Sequence, residues 1–95
     1  MSGEAAVERH EVYYSGRVQG VGFRYTARWV ARRFAVTGFV KNLPDGRVHL
    51  VAESRPDELR RFLDAVDAEM GHYVVDRQEQ TGPATGRFQG FEIRL

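Results

Sequence analysis

The sequence predicts an α+β sandwich in which two helices cover one face of an antiparallel sheet. Three observations carry that expectation. Two stretches repeat apolar residues at three- and four-residue steps, the spacing of a helix with one buried stripe. Short β-rich runs flank both stretches. At 95 residues the chain is long enough for one core and too short for two.

Met1 to Val7 is small or polar without periodicity and reads as a flexible amino-terminal tail, leaving residues 8–95 as a single domain. From His10 to Ser15 the β-formers Val12, Tyr13 and Tyr14 stand between polar residues, and the strand stops at Gly16. A glycine-rich loop, Gly16 to Gly22, follows. Phe23, Ala27, Val30, Ala31 and Phe34 then predict a helix over Phe23 to Ala35, with Arg28, Arg32 and Arg33 on its wet side. Val36 to Lys41 is β-rich and breaks at Asn42-Leu43-Pro44-Asp45-Gly46, a cluster with strong turn chemistry. Arg47 to Ala52 completes a hairpin, with Val48 and Leu50 facing one way and His49 and Val51 the other.

Ser54 is placed to cap a second helix, with Pro56 and Asp57 in its first turn. Leu59, Phe62, Leu63, Val66 and Met70 form the inner stripe of that helix, and Gly71 reads as its stop. Tyr73 to Gln80 is a strand, Thr81 to Gly86 a loop, and Phe91, Ile93 and Leu95 alternate in a last strand. The order β-α-β-β-α-β is that of the ferredoxin-like sandwich, which by itself says nothing about activity.

Composition excludes several classes of function. With no cysteine there is no disulfide and no thiolate nucleophile, and no apolar run suggests a signal or a membrane span, so the cytoplasm is the expected compartment. A formal net charge of +1 falls short of a nucleic-acid binder, although Lys41 is the only lysine among fourteen basic residues. His10, His49 and His72 are scattered over different elements, with no carboxylate or cysteine at ligand spacing, and no metal or other cofactor is assigned. Tyr13, Tyr14, Trp29 and Phe39 are read as core aromatics in preference to a patch for an acyl group or a base.

Gly16-Arg17-Val18-Gln19-Gly20-Val21-Gly22-Phe23-Arg24 concentrates the chemistry. Its glycines let several N–H groups point into one hollow at a helix start, where an anion is favoured, and Arg24 adds a planar guanidinium able to grip two phosphate oxygens. Neither nucleotide-binding glycine spacing is present. Glycine spacing alone still favours a plain tight turn with Arg24 in solvent, and Asn42 alone reads as a turn starter.

The whole string closely resembles the first signature of the acylphosphatase family. Gly38-Phe39-Val40-Lys41-Asn42-Leu43-Pro44-Asp45-Gly46-Arg47-Val48 resembles the second. The resemblance runs from about His10 to Leu95. It implies that backbone N–H groups of Arg17, Val18, Gln19, Gly20, Val21 and Gly22 cradle a phosphate that Arg24 neutralises, and that Asn42 holds a water in line with phosphorus. The implied activity is metal-independent hydrolysis of acyl phosphates, with a small-molecule substrate. Apart from the resemblance, the lack of a long apolar surface strand makes a monomer the simplest expectation, and charge and hydropathy lead us to expect neither nucleic-acid nor membrane partners. Tyr14 and the Glu69-Met70-Gly71-His72-Tyr73 corner depart from the usual family pattern without touching Arg24 or Asn42. Two rivals are an RNA-binding sheet, which the strand at Arg47 to Ala52 does not match, and a phosphate-binding domain of a larger assembly. The chain's end at Leu95 favours a free-standing enzyme over the latter.

Overall fold

A computed structural model describes residues 6–95; Met1 to Ala5, most of the predicted tail, lie outside the described residues, and Ala6 and Val7 precede the first strand in exposed positions. Strand β1 runs Glu8–Gly16, helix α1 Phe23–Ala31, β2 Thr37–Asn42, β3 Val48–Ser54, helix α2 Pro56–Met70, β4 Val74–Pro83 and β5 Phe91–Arg94. The spatial order is β4-β1-β3-β2-β5. Three of its contacts are antiparallel, but β5 lies parallel to β2, with Gly38 opposite Phe91 and Val40 opposite Ile93. The sheet is therefore mixed, which corrects the all-antiparallel expectation, and its five strands run β-α-β-β-α-β-β, one strand more than the ferredoxin-like order holds. The fold remains the α+β sandwich with both helices on one face.

Period-two alternation decides which side chains meet the helices. Val12 and Tyr14 from β1, Val40 from β2, and Val48, Leu50 and Ala52 from β3 form one core with Phe23, Ala27 and Val30 of α1 and Leu59, Phe62 and Val66 of α2. The predicted stripe of α2 is buried in full. Each fully buried aliphatic or aromatic side chain in that cluster contributes about 1.5–3 kcal/mol relative to exposure. The far face has a smaller apolar set. There Val51 and Phe39 are buried, Tyr13 stacks on His49 with ring centroids 4.4 Å apart, and Phe88 reaches over Phe39 from the segment before β5.

Several local expectations change. Helix α1 ends at Ala31 instead of Ala35, because the N–H groups of Arg33 and Phe34 donate to carbonyls three residues back, and Ala35 N–H donates to Glu58 Oε2 of α2 at 2.8 Å. Ser54 does not cap α2: its hydroxyl donates to Ala35 O at 2.6 Å, and the cap position is Arg55. Gly71 stops α2 without a left-handed turn, passing into a 3-10 turn over Gly71–Tyr73. Thr81, Gly82 and Pro83, read as loop, extend β4 opposite His10, Arg9 and Glu8, and the proline is tolerated because β4 is an edge strand. Trp29 is 55% exposed on α1, not part of the core, whereas Tyr14 and Phe39 are buried as expected.

Position of the last strand depends on a buried carboxylate. Glu53, 4% exposed, accepts from Thr85 N–H and hydroxyl, both at 2.8 Å, and from Gly86 N–H at 3.0 Å. Burial alone would raise its pKa, but these hydrogen bonds and the nearby Arg9 outweigh that and hold it below the usual carboxylate range. The segment tied down in this way delivers Gly90 O to Gly38 N–H at 2.9 Å and starts β5 beside β2.

Candidate active site

The loop from β1 to α1 and the end of β2 meet at one edge of the sandwich. Val18, Gly20, Gly22, Phe23, Arg24, Tyr25 and Asn42 line a hollow of about 190 Å³ there. Arg24 and Asn42 are eighteen positions apart in sequence, and the β1-α1-β2 path brings them to the same wall. No carboxylate and no histidine lines it.

The loop holds its shape through backbone geometry. Gly20 and Gly22 take φ of 78° and 80°, left-handed values that cost an L-residue about 1–2 kcal/mol. Gly22 is the cap of α1 and gives no side-chain cap to the helix start, and the first turn of α1 has no acidic residue. Among the described residues, the N–H groups of Val18, Gln19, Gly20, Val21 and Gly22 make no backbone hydrogen bond. Unpaired donors beside the positive end of a helix make a seat for an anion.

Three anchors frame that seat. Arg17 N–H donates to Tyr73 O at 3.0 Å, which fixes the loop's entry against the 3-10 turn and commits that donor. Buried Val18, with no exposed surface, pins the next residue into the core, and Val21 packs against the same cluster. Gln19 turns its side chain the other way, and its Nε2 donates to Leu43 O at 2.8 Å and Arg47 O at 2.9 Å. Of the residues picked from sequence, Val18, Gly20, Gly22, Arg24 and Asn42 thus line the hollow, whereas Arg17, Gln19 and Val21 are not part of its lining.

Arg24 is half-buried, and its Nη1 donates to Arg94 O at 3.4 Å, a long contact that leaves most of the guanidinium's donors uncommitted. Asn42 closes β2, paired with Val48, where the ladder gives way to the turn. Its amide can accept and donate at once. The hollow can therefore take a tetrahedral anion against N–H groups and a guanidinium while an amide addresses a neighbouring water.

Sequence reasoning missed Phe23 and Tyr25 as lining residues. Phe23 belongs both to the signature string and to the buried stripe, and the one signal for Tyr25 is an aromatic off that stripe directly after Arg24. The histidines lie elsewhere: His10 contacts Glu8 and Glu79, His49 contacts Glu11, and His72 is exposed beside Tyr73. Among the described residues no three His, Cys, Asp or Glu side chains gather as a metal site, and no helix is long and apolar enough to cross a membrane.

The family model and the curated relatives agree on one family. The family model for acylphosphatase matches residues 10–93. An acylphosphatase of Archaeoglobus fulgidus is 43% identical over 84 residues, covering 88% of this chain and 80% of that protein. One of Rubrobacter xylanophilus is 42% identical, covering 99% of this chain and 86% of the relative. The crystal structure of acylphosphatase from Bacillus subtilis superposes with a TM-score of 0.82 at 31% identity, over 93% of this chain and 99% of that one.

Proposed function

The chain belongs to the acylphosphatase family and is an enzyme of acyl phosphate hydrolysis; from that premise we propose how its own residues carry the reaction. The phosphate of an acyl phosphate sits against the N–H groups of Val18 to Gly22, with Arg24 spreading its charge over two oxygens, and Asn42 holds the attacking water. Convergence of Arg24, Asn42 and the glycine loop on one hollow is the observation that supports this reading best. Arg17, included from the sequence, acts through its side-chain charge at the rim, since its N–H is committed to Tyr73.

Water attacks phosphorus opposite the acyl oxygen; the bond from phosphorus to that oxygen breaks, and the oxygen keeps the electron pair. The products are a carboxylate and inorganic phosphate, which carries both hydrogens of the water until it releases a proton to solvent. A carboxylic acid has a pKa of about 4, so its anion departs without being protonated and no general acid is required. Phosphoryl transfer is mostly positioning and electrostatic stabilisation, which a guanidinium, N–H groups and an amide supply. The reaction needs no metal on this reading. A phosphate monoester, whose alkoxide leaves far less readily, is a poor substrate at the same site. Residues 8–95 act as one catalytic unit, a monomer working in the cytoplasm on small molecules and not on nucleic acid.

Phosphate release from benzoyl phosphate under excess chelator tests the proposal, with wild type compared to Asn42→Ala. Hydrolysis that survives chelation and falls by about 10²–10³-fold in the variant, with competitive inhibition by inorganic phosphate retained, is the expected result. Chelator-sensitive turnover, or full activity of Asn42→Ala, sinks it.

A further inference from the structure

Gln19 is the one loop side chain that reaches across to the turn carrying Asn42. Its Nε2 donates to Leu43 O at 2.8 Å and to Arg47 O at 2.9 Å. Those carbonyls already close the turn, because Leu43 N–H donates to Arg47 O at 2.8 Å and Gly46 N–H to Leu43 O at 3.1 Å. A carbonyl oxygen has two lone pairs, so each of these accepts twice, once from the turn and once from Gln19. An amide nitrogen, not an amide oxygen, must face two carbonyls, since oxygen against oxygen is repulsive.

We infer that Gln19 is a positioning residue for the attacking water: its side chain locks the phosphate loop to the 43–47 turn and so sets the distance between bound phosphorus and Asn42. Its chain neighbours Val18 and Gly20 line the hollow, and Asn42 is the residue immediately before Leu43. One side chain therefore couples the element that holds the electrophile to the element that holds the nucleophile. Water and phosphorus must be aligned within a fraction of an ångström, and a displacement of about 1 Å can cost about 10²-fold in rate. The β2–β3 ladder ends at the Asn42–Val48 pair, and the bonds beyond it, from Leu43 N–H to Arg47 O and from Gly46 N–H to Leu43 O, hold the turn to itself and not to the loop. Gln19 takes over there. Glutamate in its place has the same length but, when ionised, no donor; methionine has the same reach and no polar hydrogen.

This inference rests on the proposed role of Asn42, and a double-mutant cycle separates the two. Turnover of benzoyl phosphate and the inhibition constant of inorganic phosphate are measured for wild type, Gln19→Ala, Asn42→Ala and the double variant. Gln19→Ala is expected to lower kcat about 10–100-fold with the phosphate inhibition constant within about threefold of wild type. In the Asn42→Ala background the same change is expected to lower kcat by less than about twofold, because the group it positions is gone. Gln19→Glu supplies a readout that loss of stability does not mimic. Its kcat is expected to rise as pH falls from 8 towards 5, when the carboxyl regains one donor, while wild-type kcat stays flat. Gln19→Met, which keeps the packing, repeats the kcat loss if Gln19→Ala folds poorly. Unchanged kcat in Gln19→Ala, additive losses in the cycle, or a phosphate inhibition constant that weakens in step with kcat overturns the inference. Full activity of Asn42→Ala instead brings down the functional reading beneath it.

Discussion

Between β1 and α1 the chain spends six residues, Arg17 to Gly22, on a loop whose N–H groups stay largely open; between β3 and α2 it spends one, Arg55, and closes the helix start at once. Both junctions lead from a central strand of the same sheet to a helix on the same face. At α2, Pro56 removes a donor from the first turn, Asp57 and Glu58 answer the helix dipole, and Glu58 accepts from Ala35 N–H. At α1 the cap is a left-handed glycine, no acid enters the first turn, and Arg24 adds positive charge. A helix N-terminus is thus not a site in itself. Neither helix has a side-chain cap, and the proposed phosphate seat lies at the one whose first turn carries no acidic residue.

The comparison breaks most severely at the arginine. Arg24→Ala is expected to lower kcat/KM for benzoyl phosphate by on the order of 10³-fold and to abolish competitive inhibition by inorganic phosphate. Retained inhibition in a folded variant would move phosphate recognition to the loop alone. Next comes the glycine cap: Gly22→Val places a β-branched residue at φ 80°, which costs about 1–2 kcal/mol and lowers the thermal midpoint by roughly 5–10 °C. Phosphate affinity should fall in the same variant, while a calorimetric midpoint equal to wild type would show the loop tolerating another shape.

Tyr25→Glu gives α1 the acidic first turn that α2 has. Weaker phosphate inhibition, by about three- to fivefold and shrinking as salt is added, is the expected outcome in steady-state titrations. The smallest effect belongs to the closed junction. The Ala35 N–H, and then the Arg61 guanidinium, hold the Glu58 carboxyl below the usual carboxylate range. A carboxyl depressed by folding stabilises the native state above its unfolded pKa of about 4.3 and loses that contribution as pH falls through its folded value. Wild type should therefore melt slightly above Glu58→Gln at pH 7, with the two midpoints converging below about pH 4. Glu58→Gln should gain no phosphate binding, since Pro56 has no N–H to give.

The α2 stripe was legible because Leu59, Phe62, Leu63, Val66 and Met70 repeat at helical spacing and nothing competes with that period. The end of α1 was not, because Phe34 keeps the helical phase while a long-range bond from Ala35 to Glu58 ends the helix first. Ser54 failed as a cap for the same reason: Ala35 O, nineteen residues away in sequence, offered its hydroxyl a better partner. In the proposed site, Arg24, Asn42 and the glycines stood out only by resemblance, since residue type and spacing alone read as a plain turn with Arg24 in solvent. Gln19 gave no sign of its partners, since an amide in a glycine-rich loop looks the same whether it points to solvent or to two carbonyls 24 and 28 residues on.

The helix stripes, most strand cores and the hydrophobic side of each were legible because periodicity and turn chemistry are local properties, whereas the residues proposed to bind phosphate were singled out by the family resemblance. Tertiary structure decided that β5 pairs parallel with β2, that Glu53 anchors the segment leading to it, and that loop and turn are held together by Gln19. Those outcomes depend on which distant groups compete for each donor and acceptor, and that competition exists only once the sheet has assembled.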